Sequence, residues 1–316
     1  MNRFVVCLIV LLSMVSGVIA RTVEMTLHAA KTPDPKKQYT LLPKADEQAD
    51  ADAAPLYEKA LQSLPGDLQT EEVDQWLKTP PDQLPLNQVQ STLQQLEPTL
   101  KLHEQAAKCK YCDWPYWDGD VLTENLRKHR RLLFYHALKV RFQVAQGRYD
   151  DAIDTAQVGF AMAKHLGEGP SLVHGMFGIG TAAYMCRQLE AFIQRPDAPN
   201  LYEAFRDLPQ PFIDLTEKAE WEDPKVKQRI HLLMKRLDRH IAILQCIEAM
   251  RLHTAAHEGK FPKQLSAVTM VPVPNDPATQ KSFVYKRTGP EATLEGPAPE
   301  GAPDSEAIRY ELNLKE

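Results

Sequence analysis

The sequence lacks the short motifs that usually mark an active site. It contains no GxSxG nucleophile elbow, no Walker phosphate loop and no pair of acids arranged for catalysis. Gly178-Ile179-Gly180 lies inside a predicted helix rather than after a strand, which excludes a dinucleotide-binding turn. These absences weigh against the common enzyme classes, so no catalytic residue and no cofactor is predicted.

Cysteine is scarce, with five residues in a chain of 316. Cys109 and Cys112 form a single CxxC, and a zinc site would need two further ligands. Asp113 stands where a covalent haem site requires histidine. The two thiols are therefore expected either to form a disulfide, which an exported protein permits, or to remain free. His253 and His257 have a metal-binding spacing but lack the glutamate of HExxH, so no metal site is predicted.

A basic surplus and a long apolar run are also missing from the chain. The 37 basic and 42 acidic residues give a net charge of −5, which argues against a nucleic-acid partner. The uncharged segment 171–186 contains Gly175, Gly178 and Gly180 and is too short for a confident membrane span. It is predicted to be a buried helix with close neighbours.

Residues 1–20 have the pattern of a secretory signal peptide. Arg3 precedes the apolar run 4–15, and Ala20 is the small residue that signal peptidase needs. The run is shorter than the roughly 20 residues that span a bilayer. Cleavage after Ala20 is predicted, which would give a periplasmic or extracellular protein without an integral membrane span. A retained membrane anchor is the alternative.

The remainder of the chain divides into three predicted regions. Residues 21–50 are a polar lead, either strand-like or disordered, followed by a linker. Residues 51–224 are a helical body, and 225–316 are a long helix followed by a small antiparallel sheet. Pro98 is expected to kink or split a helix over 86–107. The predicted fold class is mainly α, with an irregular tetratricopeptide-like hairpin body and a small C-terminal antiparallel β-sheet.

The helical hairpin is predicted around Gly147-Arg148-Tyr149. Helices over 132–146 and 150–166 each carry an apolar stripe, and the tight glycine turn between them is typical of tetratricopeptide-like units. Because this signature does not recur at a fixed period, a long regular array is not expected. Such hairpins form scaffolds and binding surfaces.

Strand patterns appear near the end of the chain. Residues 283–287 and 291–295 flank Gly289-Pro290, which suits a hairpin turn. Residues 307–314 alternate strictly between apolar and polar side chains and predict one further strand.

Aromatic residues cluster in the predicted loop 108–120. Tyr111, Trp114 and Trp117 are the candidate ligand-binding residues, because exposed rings could stack on a sugar or a peptide. The alternative is a loop that covers the core of the hairpin, which Pro115 and the adjacent CxxC favour.

Two parts of the sequence resemble known families. The chain from "CDWP" (112–115) through "GPSLVHGMFGIG" to "DAPNLYEAFRDLPQPFIDL" (197–215) resembles an uncharacterised exported helical family of planctomycete-type bacteria, which implies secretion and a helical body. The segments "HEGKFPKQL" (257–265) and "NDPATQKSFVYKRTG" (275–289) are similar to the C-terminal half of type II secretion pseudopilins. A prepilin cleavage site is missing, so the second resemblance implies a shared local fold only.

Three hypotheses for the function follow. The first is an exported helical scaffold that binds a protein or peptide partner. The second is a binding protein or enzyme for envelope polysaccharide that uses the Trp114 and Trp117 loop. The third is an accessory of the secretion apparatus with a pseudopilin-like tail.

Overall fold

The computed structural model describes residues 21–34, 36–66, 70–115, 119–220 and 222–315, and the predicted signal peptide lies outside these ranges. The chain divides into two compact units. We name the first the helical unit; it consists of Thr40–Phe192 and Phe212–Ile230. We name the second the mixed unit; it consists of the described residues of Met1–Tyr39, Ile193–Pro211 and His231–Glu316.

Helices and strands alternate irregularly along the chain. The helices are α1 (Ala54–Gln62), α2 (Thr70–Trp76), α3 (Leu86–Gln95), α4 (Glu97–Ala107), α5 (Gly119–Ala145), α6 (Tyr149–Glu168), α7 (Leu172–Ile193), α8 (Tyr202–Arg206) and α9 (Pro224–Ala256). The strands are β1 (Arg21–Leu27), β2 (Ala49–Asp52), β3 (Cys109–Tyr111), β4 (Val284–Thr288), β5 (Glu291–Gly296) and β6 (Ile308–Leu314). The prediction of a mainly α chain with a small sheet near its C-terminus is confirmed.

Proline splits the predicted helix over 86–107, as expected. Helix α3 ends at Gln95 and α4 begins at Glu97, with Pro98 in the first turn of α4. A proline is tolerated there because the first N–H groups of a helix have no partner within the helix.

Helices α5 and α6 form the predicted hairpin. Gly147 follows α5 with φ +69°, a left-handed conformation that favours glycine. Both predicted apolar stripes are buried: Leu133, Ala137, Val140 and Val144 on α5, and Ile153, Ala156, Phe160 and Ala163 on α6. Helix α5 begins earlier than predicted, at Gly119, because Leu122 and Leu126 extend its buried face through a charged stretch.

The uncharged segment 171–186 is largely helical and has close neighbours, as predicted. A side chain at Gly178 of α7 would lie 2.6 Å from the backbone oxygen of Ala163 and 2.8 Å from the backbone nitrogen of Gly167, both on α6. Glycine therefore permits the two helix backbones to approach closely. Within the described ranges, no helix combines the length and the apolar character needed to cross a membrane.

A four-stranded sheet in the order β1-β6-β5-β4 belongs to the mixed unit. Strands β4, β5 and β6 are antiparallel, and Gly289 turns the β4–β5 hairpin with φ +63°. Tyr310 and Leu312 of β6 are buried, as their alternation predicts. The sheet therefore has one apolar face.

The sheet is mixed rather than purely antiparallel, which differs from the prediction. Strand β1 pairs in parallel with β6, so that Val23 lies opposite Tyr310 and Met25 opposite Leu312. Part of the predicted polar lead, residues 21–50, is thus a sheet strand. Its alternation is short, and a strand that pairs with a partner at the far end of the chain leaves no local turn signal.

Buried ion pairs stabilise the mixed unit. Arg251 and Glu248 of α9 are fully buried and lie 2.9 Å apart, and the same guanidinium donates to the backbone oxygens of His28 and Ala198. Arg239 lies 2.9 Å from Asp276 and also donates to the backbone oxygens of Pro297 and Glu306. Each guanidinium therefore joins α9 to segments that are distant in sequence.

Candidate functional site

Trp114 is a buried residue of the helical unit rather than an exposed ligand platform. Its side chain is 3% exposed, and its indole ring stacks on Tyr57 at 5.3 Å between ring centroids. The indole N–H donates to the backbone oxygen of His165 at 2.8 Å. The expectation that Trp114 binds a ligand is therefore corrected: the ring covers the core, because its apolar body and its N–H group are both satisfied there.

Of the other two candidate ligand-binding residues, the structure describes Tyr111 but not Trp117. Trp117 lies outside the described residues. Tyr111 on β3 is 46% exposed, next to an exposed pair formed by Lys110 and Asp50 at 3.8 Å. Among the described candidates, Tyr111 is therefore the ring that is exposed for stacking on a ligand.

Cys109 and Cys112 are both free thiols, which is the second of the two alternatives that the sequence left open. The thiol of Cys109 donates to the backbone oxygen of Gln105 at 3.6 Å. Burial is the main cause that raises the pKa of both thiols, and the Asp52 carboxylate adds to it. Both groups therefore stay protonated at neutral pH and are poor nucleophiles.

Four buried histidines contact Tyr57 or Trp114, and a fifth, His136, contacts His103, a feature that sequence reasoning missed. We name these seven residues the histidine cluster: Tyr57 of α1, His103 of α4, Trp114, His129 and His136 of α5, His165 of α6 and His174 of α7. The ring centroid of Tyr57 lies 5.0 Å from His103, 6.1 Å from His129 and 5.8 Å from His165. Trp114 lies 5.0 Å from His129 and 6.2 Å from His174.

The hydrogen bonds of His165 define its tautomer. Its Nε2 lies 3.1 Å from the backbone oxygen of Cys109, which can only accept, so Nε2 carries the proton. Its Nδ1 then accepts from the hydroxyl of Tyr57 at 2.9 Å. Burial lowers the pKa of His165 to about 4 and raises that of Tyr57, so both groups are neutral at pH 7.

His103 and His136 pack against each other with their ring centroids 4.6 Å apart. Both rings are fully buried, and neither nitrogen of either ring has a hydrogen-bond partner within the described part of the chain. Burial lowers the pKa of His136 to about 3, and burial together with the neighbouring imidazoles places that of His103 well below its usual range. Each unpartnered buried nitrogen carries a desolvation cost, so the pair lowers the stability of the folded helical unit.

The remaining two histidines lie at the edges of the cluster. His129 Nε2 is 3.9 Å from a carboxylate oxygen of Glu58, and His174 Nδ1 lies 2.8 Å from the hydroxyl of Ser171. Burial lowers the pKa of His129, against the pull of Glu58, and lowers that of His174 to about 4. All five imidazoles are thus held in the neutral form at pH 7.

The cluster does not have the arrangement of a metal centre. Among the described residues, no three His, Cys, Asp or Glu side chains are grouped so that they could hold a metal ion. The rings contact each other and the aromatic rings by their faces and edges, while ligands must direct their nitrogens to one point. The sequence signal was the presence of histidine on buried helix faces, as at His129 and His136, seven residues apart on α5.

A second feature of the helical unit is a basic face on its surface. We define it as Arg127, Arg130, Arg131 and Phe134 of α5 with Tyr184 of α7. Arg127 and Arg131 are exposed, and the other three residues are half-buried. The guanidinium of Arg130 lies 5.6 Å from the ring centroid of Phe134, whose ring lies 4.9 Å from that of Tyr184. The run "RKHRR" (127–131) could have indicated this face from the sequence.

Comparisons of the chain with protein-family models, with curated proteins and with solved structures each gave no match.

Proposed function

We propose that the protein is an exported helical scaffold that binds an acidic segment of a partner protein along the basic face. The observation that carries this proposal is the concentration of arginine and aromatic side chains on one face of α5. The proposal that it acts outside the cytoplasm rests on the signal-peptide pattern of residues 1–20.

The helical periodicity places the charged groups of the basic face together. Arg127, Arg130, Arg131 and Phe134 stand at spacings of three, four and seven residues, which is one face of an α-helix. Arginine and aromatic residues are the side chains most enriched at the centres of protein interfaces. The face therefore has the composition of a recognition surface.

The charge of this face is opposite to that of the chain as a whole, whose net charge is −5. Burial and the neighbouring Arg127 lower the pKa of Arg130, and Asp74 of α2 acts in the opposite direction. Among the described residues, the carboxylates of Asp74 and Glu124 act on Arg130 and Arg127, so the three guanidinium groups still leave a local positive surplus. This surplus favours association with an acidic segment. Electrostatic steering also raises the association rate at low salt.

The same helix supplies the rigidity that a scaffold needs. The segment 132–144 of α5 is almost entirely buried, so the basic face continues into a helix held by the core. A preformed face loses little conformational entropy when a partner binds.

The proposal can be tested with a fluorescently labelled 12-residue peptide of Glu, Asp and one Phe. We expect the mature protein to bind it, with affinity that falls as salt rises, and Arg127→Glu with Arg131→Glu to weaken binding at least 10-fold. Lys59→Glu with Lys108→Glu, two exposed lysines elsewhere on the helical unit, is the control with the same change in charge.

Two results would overturn the proposal. One is equal loss of binding in the control variant, which would show that only net charge matters. The other is tighter binding of a single-stranded DNA oligonucleotide than of the acidic peptide at equal salt. That result would show that the basic face binds nucleic acid rather than an acidic protein segment.

A second candidate is an accessory of the secretion apparatus. It is favoured by the segment "NDPATQKS" (275–282), in which Asp276 is fully buried and bound to Arg239 of α9 in a helix-and-sheet unit. A long helix followed by a small sheet is the local fold that the pseudopilin-like resemblance implies. Unimpaired type II secretion in a strain that lacks the protein would eliminate this candidate.

A further inference from the structure

We propose that the histidine cluster makes the helical unit an acid-triggered switch, which opens cooperatively when its surroundings fall below about pH 6. This inference does not depend on the proposed function, because it concerns the core of the unit and not the basic face.

Geometry is the first argument. Five imidazoles from four different helices are buried in one cluster, four of them against the stacked pair Tyr57 and Trp114 and the fifth, His136, against His103. Protonation of any one ring places a charge among apolar and aromatic groups, and a second charged ring would lie within 4.6 Å in the case of His103 and His136. The closed unit therefore resists protonation, whereas an opened unit exposes all five rings to water.

The charged groups that face the cluster do not compensate such a charge. Among the described residues, Glu58 of α1 acts on His129 and Asp52 of β2 acts on His165, and both carboxylates raise the pKa of the ring against the effect of burial. Basic side chains act from α5, α6 and the segment that follows α8, and they are Lys128, Lys139, Lys164 and Lys218. Lys128, Lys139 and Lys164 are themselves paired with Glu124, Glu104 and Glu168. The lysines therefore add little to the cost of a protonated ring, and burial is its main source.

Linkage gives the direction and the steepness of the effect. Because the folded pKa values are lowered, the open form binds more protons than the closed form once the pH falls below the ordinary histidine value. The opening equilibrium constant then rises about 10-fold per pH unit for each histidine, and about 10⁵-fold for five acting together. Above about pH 7 the dependence disappears, since neither form is protonated.

The experiment measures the urea midpoint of the full mature chain by circular dichroism between pH 8 and pH 5. His103→Phe with His136→Phe removes two rings whose nitrogens have no partner. We expect this variant to fold at pH 8. Its opening should take up two fewer protons, so the change in the opening equilibrium constant per pH unit should be about 100-fold smaller than in wild type. His231→Gln, an exposed histidine outside the cluster, is the control and should leave the dependence unchanged.

Several outcomes would overturn the switch. Retention of the full helical signal and the same urea midpoint from pH 8 to pH 5 is one. Another is an equal change in His231→Gln, and a third is failure to recover the helical signal on return to pH 8. If the double variant does not fold, His174→Gln replaces it, and an unchanged pH dependence in that variant counts against the proposal.

Discussion

The two units of the chain differ in the titratable groups that dominate their buried interiors, although the mixed unit also buries His240 and His253. The mixed unit buries charges and pairs them, as in Arg251 with Glu248 and Arg239 with Asp276, where the guanidinium groups also donate to backbone oxygens. The helical unit buries histidines in the neutral form, and two of them, His103 and His136, lack hydrogen-bond partners among the described residues. In the mixed unit, removing one partner of a buried pair is costly, because it leaves an unpaired charge. In the helical unit, protonating a neutral buried histidine is costly, because it creates a buried charge.

This difference shows that burial alone does not predict how a core responds to its surroundings. Glu248 illustrates the point: burial raises its pKa more than the adjacent Arg251 lowers it, yet the pair stays hydrogen-bonded on several sides. Removing a partner should therefore be the sensitive change in the mixed unit, and lowering the pH should be the sensitive change in the helical unit. Four predictions test this contrast.

The largest expected effect is the loss of stability of the helical unit in acid. A neutral buried histidine whose folded pKa lies well below pH 5.5 loses about 1.4 kcal/mol of stabilisation at one pH unit below its unfolded pKa, so the cluster should lose at most about 7 kcal/mol near pH 5.5. That is comparable to the whole stability of a typical domain. Hydrogen exchange, corrected for the intrinsic rate at each pH, should show lost protection in α4, α5 and α6.

The mixed unit provides the internal control for that measurement. Its strands β5 and β6 should keep more protection at pH 5.5 than α4, α5 and α6, because burial lowers the pKa of two of its described histidines, His28 and His253, against five in the cluster. Simultaneous loss of protection in both units would break the comparison and show that acid acts on the chain as a whole.

Removal of one partner from a buried ion pair should have the next largest effect. Arg239→Met leaves Asp276 buried without its cation and frees the backbone oxygens of Pro297 and Glu306, and it should cost about 3–5 kcal/mol in urea unfolding at pH 7.5. The double variant Arg239→Met with Asp276→Asn should recover part of this cost, because no unpaired buried charge remains.

The control for this prediction is a substitution of an arginine on the surface. Arg148→Met removes an exposed pair with Asp151 and should change the free energy of unfolding by no more than about 1 kcal/mol. If Arg239→Met cost as little as Arg148→Met, the ion pairs of the mixed unit would be incidental, and the contrast between the two units would fail.

The helical unit packs the backbones of α6 and α7 closely together at Gly178, whereas the mixed unit is stabilised by buried ion pairs. Gly178→Ala would place a methyl group 2.6 Å from the backbone oxygen of Ala163, and we expect a loss of about 3 kcal/mol, since backbone cannot move aside cheaply. Gly180→Ala on the same helix meets nothing within 4 Å and should stabilise by up to about 1 kcal/mol. Equal effects of the two changes in thermal unfolding would contradict the close approach.

Local patterns account for the parts of the fold that the sequence predicted. The break at Pro98, the turn at Gly147 and the alternation in β6 each depend on neighbouring residues, and each is observed. Strand β1 could not be placed in the same way, because its partner β6 is near the other end of the chain. Pairings between distant segments leave no periodic signal in either one.

The candidate site was predicted less well, for a physical reason. Trp114 was expected either to bind a ligand or to cover the core, and both roles suit a loop tryptophan in sequence. The choice depends on Tyr57 and His165, which lie on other helices and become neighbours only in the folded chain. The five buried histidines were missed because each one, taken singly, resembles an ordinary polar residue on a helix.

The smallest expected effect concerns the aromatic cover of the histidine cluster. Trp114→Phe keeps a ring on Tyr57 but removes the N–H that satisfies the backbone oxygen of His165, so it should cost about 1–2 kcal/mol at pH 7.5. Tyr111→Phe alters an exposed ring of the same loop and should cost less than about 0.5 kcal/mol in the same urea titration. A larger cost for Tyr111→Phe than for Trp114→Phe would contradict this prediction. It would show that the exposed Tyr111 stabilises the segment more than the buried Trp114 does.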